Sequence, residues 1–421
     1  MAKKKLLLIA GAGSSIAQGM PSVPALDRLM TQWSQEWSAV RRSPSDYFEA
    51  LWTAIDQYYA AGTLGPPQQI NFEKVLRDMA ALSHWMMPPP LGDTLRQIAC
   101  NNAPPPTLSF ATPDRYGPTV AIDDQLISLL SRLAQHVRAL SQRLDTTTAQ
   151  FASYKAIVDR LRHAFDFGIY NLNYDNVAVS SWPGAFTGFG ADGRFDPRAV
   201  HTRSEWGFIY HLHGSVHHTL VGPFADAMRW QDDLAGTFAD GDPGRSTDTR
   251  SDGKSMPKAS LIAGGFKLDQ LLIEPFQSLY ASLIRHVRQA DAILIGGYGF
   301  GDEHINRTLR NRLEVPADRA PVMVLTRSPA RTDSMQFRVQ DDLWAWELTR
   351  ALAAGGDFFR EPDHPSPPLV GDLIARAGFE VSSDHRVAIW HSGFVEVAPH
   401  LDRVVSWLDG TATDAALAGR P

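Results

Sequence analysis

Short apolar runs alternate along this chain with polar and glycine-containing segments. Within each run successive positions are apolar, and the clearest runs are Lys5–Ala10, Phe167–Leu172, Phe208–Leu212, Ala292–Ile295 and Pro321–Leu325. Strands that are buried on both faces of a parallel sheet have this pattern. The runs therefore predict the central strands of a parallel sheet.

Segments with apolar residues at helical spacing lie between these runs. They include Phe72–Leu82, Gln125–Leu144, Tyr154–Phe165 and Leu279–Val287. Strands that alternate with helices are typical of a domain with helices on both faces of its sheet. The sequence therefore predicts an α/β fold with a doubly wound, mostly parallel, Rossmann-like sheet.

The spacing of the predicted strands indicates how the chain is divided. The first two strands are far apart and the residues between them are mostly helical, so we expect a helical subdomain inserted at about residues 24–144. One catalytic domain is expected over residues 1–330. A small C-terminal appendage, for oligomer or partner contact, is expected over residues 331–421, with one strand (Arg386–Trp390) and one helix (His400–Leu408).

Two stretches are expected to lack regular structure. Pro88–Pro118 contains two proline triplets, and proline interrupts both helices and sheets. The second stretch is an insertion at about residues 240–257. Within Asp240–Pro257, Met256 is the only large apolar residue. A segment that can bury so little apolar surface is expected to be mobile.

Composition and charge exclude several kinds of site. Cys100 is the only cysteine and the formal net charge is −6. An intrachain disulfide and a cysteine zinc site are therefore excluded, and direct nucleic-acid binding is not expected. A single cysteine is consistent with a reducing cytoplasm. The apolar run that ends at Ala10 is shorter than the roughly 7–15 residues of a signal peptide core, and no segment reaches the roughly 20 apolar residues of a membrane span.

The first of four candidate ligand loops is Gly11-Ala12-Gly13-Ser14-Ser15, directly after the first predicted strand. Ligands bind beyond the carboxyl ends of strands in open α/β sheets. Glycines at such an end allow a sharp turn, and the next helix start supplies N–H donors to a diphosphate. Ile16 stands where the dinucleotide-binding fingerprint has its third glycine, so a strand–helix turn without a ligand stays an alternative.

The second and third loops offer Asn173, Asp175 and His213. Asparagine can orient a water molecule or a sugar hydroxyl, and histidine is a natural general base near neutral pH. An Asx-turn at Asn173 and a buried structural histidine are the alternatives. A zinc site is another, because His211 and His213 share one face of a strand and two histidines with a carboxylate can hold a hydrolytic metal ion.

The fourth loop runs from Gly296 to Asp302. Its glycines bring the backbone close to a flat or anionic group, and the alternative is a tight strand–helix turn that Asp302 caps. Loops that follow parallel strands of one sheet converge on one crevice. This convergence predicts a single ligand site more strongly than any one loop does.

Taken together and in this order, the motifs resemble the sirtuin (Sir2-like) superfamily, in particular its bacterial NAD⁺ hydrolase branch. The resemblance spans about residues 5–330. Its motifs are Gly11-Ala-Gly-Ser-Ser-Ile-Ala with Gly19-Met-Pro-Ser, Phe72-Glu73, Asn173-Tyr-Asp, Leu212-His-Gly-Ser-Val and Gly297-Tyr-Gly-Phe-Gly-Asp-Glu-His-Ile-Asn. Protein-deacylating sirtuins carry a zinc module of four cysteines, and an aspartate where this chain has Ser22. These departures favour simple NAD⁺ cleavage over acyl-lysine chemistry.

The resemblance implies an NAD⁺ glycohydrolase that releases nicotinamide and ADP-ribose, with NAD⁺ as its substrate and no metal ion. It implies Asn173 and His213 as the catalytic pair: Asn173 places the ribose and the water, and His213 takes a proton. The first loop would hold the diphosphate and the adjacent ribose, and the fourth loop the adenosine side. The residues implied to bind NAD⁺ are Gly11, Ala12, Gly13, Ser14, Ser15, Pro21, Asp175, Gly297, Tyr298, Gly299, Phe300 and Asp302.

The same resemblance implies a role in antiphage defence by depletion of NAD⁺. It further implies a homo-oligomer that works with a hexameric HerA-type ATPase. Two other functions on this fold stay open, namely a non-catalytic sensor of NAD⁺ or ADP-ribose and a protein ADP-ribosyltransferase or deacylase.

Overall fold

The computed structural model describes residues 2–43, 46–60, 70–86, 118–221, 227–236, 247–249, 255–257, 260–263, 273–315, 320–327, 343–353, 379–381 and 386–411. The strands in these residues are β1 (Lys5–Ala10), β2 (Asp166–Asn171), β3 (Phe208–His211), β4 (His218–Val221), β5 (Ala227–Trp230), β6 (Thr247–Thr249), β7 (Ser255–Pro257), β8 (Ala292–Gly296), β9 (Val322–Leu325), β10 (Phe379–Val381) and β11 (Val387–Trp390). The helices are α1 (Val23–Arg41), α2 (Tyr47–Ala60), α3 (Phe72–Met86), α4 (Pro118–Gln142), α5 (Ala149–Ala164), α6 (Val177–Ser181), α7 (Pro197–Thr202), α8 (Phe276–Gln289), α9 (Glu303–Leu313), α10 (Leu343–Ala351) and α11 (Leu401–Leu408).

The central sheet has the strand order β10-β11-β9-β8-β1-β2-β3. The strands from β11 to β3 are parallel, and β10 is antiparallel at the edge. From β1 the chain proceeds through β2 and β3 on one side, then crosses to β8, β9 and β11 on the other. The winding therefore reverses between β1 and β8, which confirms the predicted doubly wound α/β sheet.

Both faces of the sheet are covered by helices, which explains why its strands are apolar at successive positions. In β1, Leu6, Leu8 and Ala10 pack in a core cluster that includes residues of α5 and α11. Leu7 and Ile9 pack on the opposite face with residues of α8, α9 and α10. Successive side chains of a strand point to opposite faces, so a strand covered on both sides buries every position.

Helices α1 to α4 form a layer whose apolar core also includes Val216, Leu234, Leu261 and Ala263. Arg138 of α4 adds polar contacts, because its guanidinium donates to the carbonyl oxygens of Val216 at 2.8 Å and Leu234 at 3.0 Å. Val216 lies three positions after His213 in the chain. The helical layer therefore contacts the segment that follows β3.

The predicted strands agree with the structure to within one or two residues, and α1 to α4 occupy the predicted insertion at about residues 24–144. Pro88–Pro118 lies outside the described residues except for Pro118, where α4 begins. Most of Asp240–Pro257 also lies outside them. Within it, however, Thr247–Thr249 and Ser255–Pro257 pair as β6 and β7. The expectation of irregular structure is wrong for these residues, because backbone pairing does not require the apolar side chains that composition detects.

The C-terminal tail differs from the predicted appendage, although its strand and its helix lie where the pattern predicts them. Strand β11 pairs with β9 over its whole length, and β10 pairs with β11, so the tail extends the main sheet. Helix α11 contributes Val404 and Trp407 to the core cluster that contains β1. Within the described residues, no helix has both the length and the apolar composition needed to cross a membrane.

Two buried histidines pack as uncharged rings against this core. His286 of α8 stacks on Phe208 with ring centroids 4.5 Å apart, and the hydroxyl of Tyr170 lies 2.8 Å from its Nδ1. His211, at the end of β3, packs against Trp230. Burial lowers the pKa of both histidines to about 3, because a charged ring would lose its hydration in these positions.

Acid is expected to destabilise the protein through these two histidines. An unfolded histidine has a pKa of about 6.5. As the pH falls from about 6.5 toward 3, the unfolded chain therefore binds protons that the folded protein does not. Each histidine should lower the free energy of unfolding by about 1.4 kcal/mol per pH unit in this window. Urea unfolding at about pH 7 and about pH 5 measures the effect.

The control for this prediction is a pair of single variants. His286→Asn should flatten the pH dependence by roughly one proton. His163→Asn should leave it as in the parent protein, because His163 is exposed. Identical pH dependence in all three proteins would contradict the prediction.

Candidate active site

A cavity of about 480 Å³ opens at the carboxyl ends of β1 and β8. This is the point where the winding of the sheet reverses, and open α/β sheets bind their ligands there. The four candidate loops converge on this cavity. The predicted site residues that line it are Gly11, Ala12, Gly13, Pro21, Asn173, Asp175, His213, Gly297, Tyr298, Gly299 and Asp302.

Three predicted site residues lie behind the cavity wall instead. Ser14 and Ser15 are buried next to Asn173. Phe300 is also buried, with ring centroids 4.9 Å from Tyr298 and 6.1 Å from Trp344. These side chains support the residues that face the cavity.

Asn173 is held with its amide nitrogen turned away from any ligand. Its Nδ2 lies 3.0 Å from the carbonyl oxygen of Gly11, 3.2 Å from Oγ of Ser14 and 2.9 Å from Oγ of Ser15. A carbonyl oxygen can only accept, so Nδ2 must face Gly11, and this fixes the orientation of the amide. Oδ1 is then the polar atom that Asn173 can offer to a ligand.

The Asx-turn in this loop is formed by the side chain of Asn171 and not by that of Asn173. Oδ1 of Asn171 accepts from the backbone N–H of Asn173 at 3.1 Å. Strand β2 ends at Asn171, so this turn redirects the chain as it leaves the sheet and leaves the side chain of Asn173 free to reach Gly11.

Asp175 is a buried carboxyl group beneath the same loop. Burial raises its pKa to about 6. Hydrogen bonds from the backbone of Val177 and the side chain of Ser15 favour the charged form and oppose this rise. The Val177 bond is 3.0 Å long. Because Ser15 also accepts from Asn173, it connects the amide of Asn173 to the carboxyl group of Asp175.

His213 pairs with Asp302, and both residues line the cavity. Nε2 of His213 lies 2.8 Å from Oδ2 of Asp302, and the two side chains are only 7% and 4% exposed. Sequence reasoning placed Asp302 among the ligand-binding residues and missed this pair. The two residues are 89 positions apart, and no local pattern indicates that they meet.

His211 lies apart from His213, in the packing around Trp230. Its Nδ1 is 3.3 Å from the carbonyl oxygen of Asn173. Across the part of the chain that the structure describes, no group of three or more histidine, cysteine, aspartate or glutamate side chains is arranged to hold a metal ion. Of the two histidines that the zinc alternative named, His213 pairs with Asp302 and His211 contacts the carbonyl of Asn173.

The turns after β1 and β8 are in direct backbone contact. The N–H of Gly11 donates to the carbonyl of Gly296 at 2.8 Å, and that of Gly13 to the carbonyl of Gly297 at 2.9 Å. A Cβ atom at Gly11 would lie 2.7 Å from the oxygen of Gly297, which is too close. The contact between the two turns therefore requires these glycines, and their part in ligand binding stays a prediction.

Helices α1 and α3 form the opposite wall of the cavity with their N-terminal ends. Ser22 caps α1, and Oδ1 of Asn71 accepts from the backbone of Lys74 at the start of α3. Glu73 follows and also lines the cavity. Glu73 enters the sequence analysis only in a motif of the family resemblance. Folding brings this residue close to the loops of the sheet, and its neighbours in the chain do not indicate that.

The cavity wall is acidic. Among the described residues that line it, the carboxylates are Glu73, Asp175 and Asp302, and there is neither lysine nor arginine. Such a wall favours a cationic group near the carboxylates. An anionic group would depend on backbone N–H donors and helix starts.

Residues 168–345 match the family model of the SIR2-like domain. The chain is similar to the solved structure of a mutant Sir2 homologue in complex with 2′-O-acetyl ADP ribose, with a TM-score of 0.35, 11% identity, and coverage of 84% of this chain and 96% of that one. It is similar to a second mutant homologue in complex with ADP ribose (TM-score 0.32, 12% identity, coverage 96% and 94%). A third is a Sir2 homologue in complex with NAD (TM-score 0.34, 10% identity, coverage 96% and 91%). No curated protein sequence matches the chain.

Two glycine variants should differ in stability, because one adds a Cβ at the contact between the turns and the other adds it in the open part of the cavity. Gly297 has φ +61°, and a Cβ there would lie 2.2 Å from the backbone nitrogen of Ser14, whereas nothing lies within 4 Å of a Cβ at Gly299. Gly297→Ala is expected to lower the free energy of unfolding by about 1–3 kcal/mol or more. Gly299→Ala should change it by less than about 1 kcal/mol. Chemical denaturation of both variants tests this, and equal losses would contradict it.

Proposed function

We propose that this protein, whose residues 168–345 match the SIR2-like domain, is an NAD⁺ glycohydrolase that cleaves the nicotinamide–ribose bond. The observation that carries the proposal is the convergence of Asn173 and His213 on one cavity at the reversal point of the sheet. Both residues lie within the matched segment. The products would be nicotinamide and ADP-ribose.

The chemistry of the cavity suits this reaction. The nicotinamide ring of NAD⁺ is cationic and leaves as a neutral group, so positive charge moves onto the ribose in the transition state. The carboxylates of Glu73, Asp175 and Asp302 favour positive charge in the cavity,. The diphosphate would be bound by backbone N–H groups that the contact between the two turns does not use, such as those of Ala12 and Gly299,.

Asn173 and His213 would have separate roles. The fixed amide of Asn173 presents Oδ1, which can accept a hydrogen bond from a ribose hydroxyl or from the attacking water,. His213 would accept the proton that the nucleophilic oxygen loses as it bonds to the anomeric carbon. Burial of both side chains limits their motion and keeps bulk water away from the reacting atoms.

We further propose that the enzyme acts in the cytoplasm in antiphage defence by depleting NAD⁺, as a homo-oligomer controlled by a HerA-type hexameric ATPase. An unrestrained NAD⁺ hydrolase would harm its own cell, so its activity requires a gate. Helix α4 connects the helical layer to the segment after His213 through Arg138, and this connection makes that layer a candidate for the gate.

His213→Ala should abolish NAD⁺ cleavage without unfolding the protein. One general base typically contributes a factor of about 10²–10⁴ in rate, so kcat should fall at least about 100-fold while the melting temperature stays close to that of the parent. Chromatography of released nicotinamide measures the rate. His163→Ala is the matched control, because His163 is exposed on α5.

Asn173→Ala should also lose turnover but should still bind NAD⁺. Most binding contacts are expected from the glycine turns, and Asn173 would act at the reacting carbon. Calorimetry of NAD⁺ binding beside the rate measurement separates the two effects. Parallel loss of binding and rate would make Asn173 a ligand anchor, and binding without any cleavage by the parent protein would favour the sensor alternative.

Cleavage should depend on assembly. The purified chain alone is expected to cleave NAD⁺ slowly, and co-purification with the product of an adjacent gene for a HerA-type ATPase should raise the rate. Light scattering would report the mass of each assembly in the same preparations. A monomer that cleaves NAD⁺ at full rate without a partner, and that cells tolerate at high level, would contradict this prediction.

A further inference from the structure

Asp302 uses its two carboxylate oxygens for two different purposes. Oδ1 accepts from the backbone N–H groups of His304 at 3.0 Å and Ile305 at 3.3 Å, which caps α9. Oδ2 lies 2.8 Å from Nε2 of His213. One buried side chain thus joins the start of a helix to the proposed general base.

The contact with Asp302 determines which nitrogen of His213 carries the hydrogen. An ionised carboxylate accepts hydrogen bonds and cannot donate them, so Nε2 of a neutral His213 must carry the hydrogen. The lone pair is then on Nδ1. No described residue forms a hydrogen bond with Nδ1, and His213 lines the cavity.

The loop that carries Asp302 is itself rigidly held. The hydroxyl of Tyr298 accepts from the backbone N–H of Asp302 at 3.1 Å and lies 2.9 Å from Oδ1 of Asn306. Nδ2 of Asn306 donates to the carbonyl oxygen of Phe300 at 2.7 Å. A carboxylate fixed in this way can set the orientation of a partner ring rather than follow it.

We infer that Asp302 is a positioning residue for His213 and that Nδ1 of His213 is the atom that accepts the proton. This inference rests on the proposed NAD⁺ hydrolysis. As water oxygen bonds to the anomeric carbon, its proton passes to Nδ1, and the electron pair of the broken bond leaves with neutral nicotinamide. The Asp302 carboxylate stabilises the imidazolium that forms.

Asp302→Asn tests the inference because asparagine retains one of the two roles. Asparagine caps a helix about as well as aspartate, so its Oδ1 can still accept from α9. Its Nδ2 then faces Nε2 of His213 and donates, which forces the hydrogen onto Nδ1 and removes the free lone pair there. We expect kcat to fall by about 10²–10⁴, with KM changed by less than about threefold and the melting temperature unchanged.

The matched control is the same substitution at another helix cap. Asp196 caps α7 by accepting from the backbone of Ala199 at 2.9 Å, and it is exposed and does not line the cavity. Asp196→Asn should retain parent kcat and KM. If Asp302→Asn fails to fold, Asp302→Ser removes the contact with Nε2 of His213 while serine still caps the helix, and kcat should again fall.

The hydrogen position on His213 can be measured without any turnover. Two-bond ¹H–¹⁵N spectra of protein labelled with ¹⁵N-histidine distinguish the two neutral forms, and the signal missing in His213→Gln assigns the residue. Hydrogen on Nε2 in the parent and on Nδ1 in Asp302→Asn would support the inference, and hydrogen on Nδ1 in the parent would overturn it.

The positioning role of Asp302 and the proposed NAD⁺ hydrolysis can be disproved separately. If the folded Asp302→Asn variant has the same kcat as the parent protein, Asp302 serves only as a helix cap. The proposed NAD⁺ hydrolysis would not be affected by that result. A parent protein that cleaves no NAD⁺, alone or with its partner, would remove the proposed function and the proton transfer with it, whatever the spectra show.

Discussion

The backbone contact between the turns after β1 and β8 is the constraint on which the rest of the site depends. Gly11 and Gly13 donate to the carbonyls of Gly296 and Gly297, so the two turns touch with no side chain between them. A Cβ at Gly13 or Gly297 would overlap backbone atoms of the other turn. The contact therefore requires glycine on both sides, and it closes the base of the cavity at the reversal point of the sheet.

Each turn then positions one residue of the proposed catalytic pair. The carbonyl of Gly11 accepts from the amide of Asn173, and the turn that begins at Gly297 ends in Asp302, which holds His213. Asn173 and His213 follow β2 and β3, which lie on the other side of β1 from β8. Because both are anchored to turns that touch each other, their separation is fixed by backbone contacts, which are stiffer than long side chains.

The acidic character of the cavity follows from the same arrangement. The carboxylates of Asp175 and Asp302 are buried, and each is held by hydrogen bonds from backbone N–H groups. Such bonds stabilise a buried charge without a basic side chain. The described part of the cavity wall can therefore carry negative charge without a lysine or an arginine.

The main strands and the loops that follow them could be predicted from the sequence. Runs apolar at successive positions identified the strands, because only a doubly covered sheet buries every position, and the polar residues at the ends of these runs identified Asn173, Asp175 and His213. The partners of these residues became known from the folded structure alone. It showed that Ser14 and Ser15 support Asn173 from behind, that Phe300 packs in the core, that the tail extends the sheet, and that Asp302 reaches His213. Periodicity depends on neighbours in the chain, whereas these contacts join residues far apart in it, and distance along the chain carries no information about which of them meet.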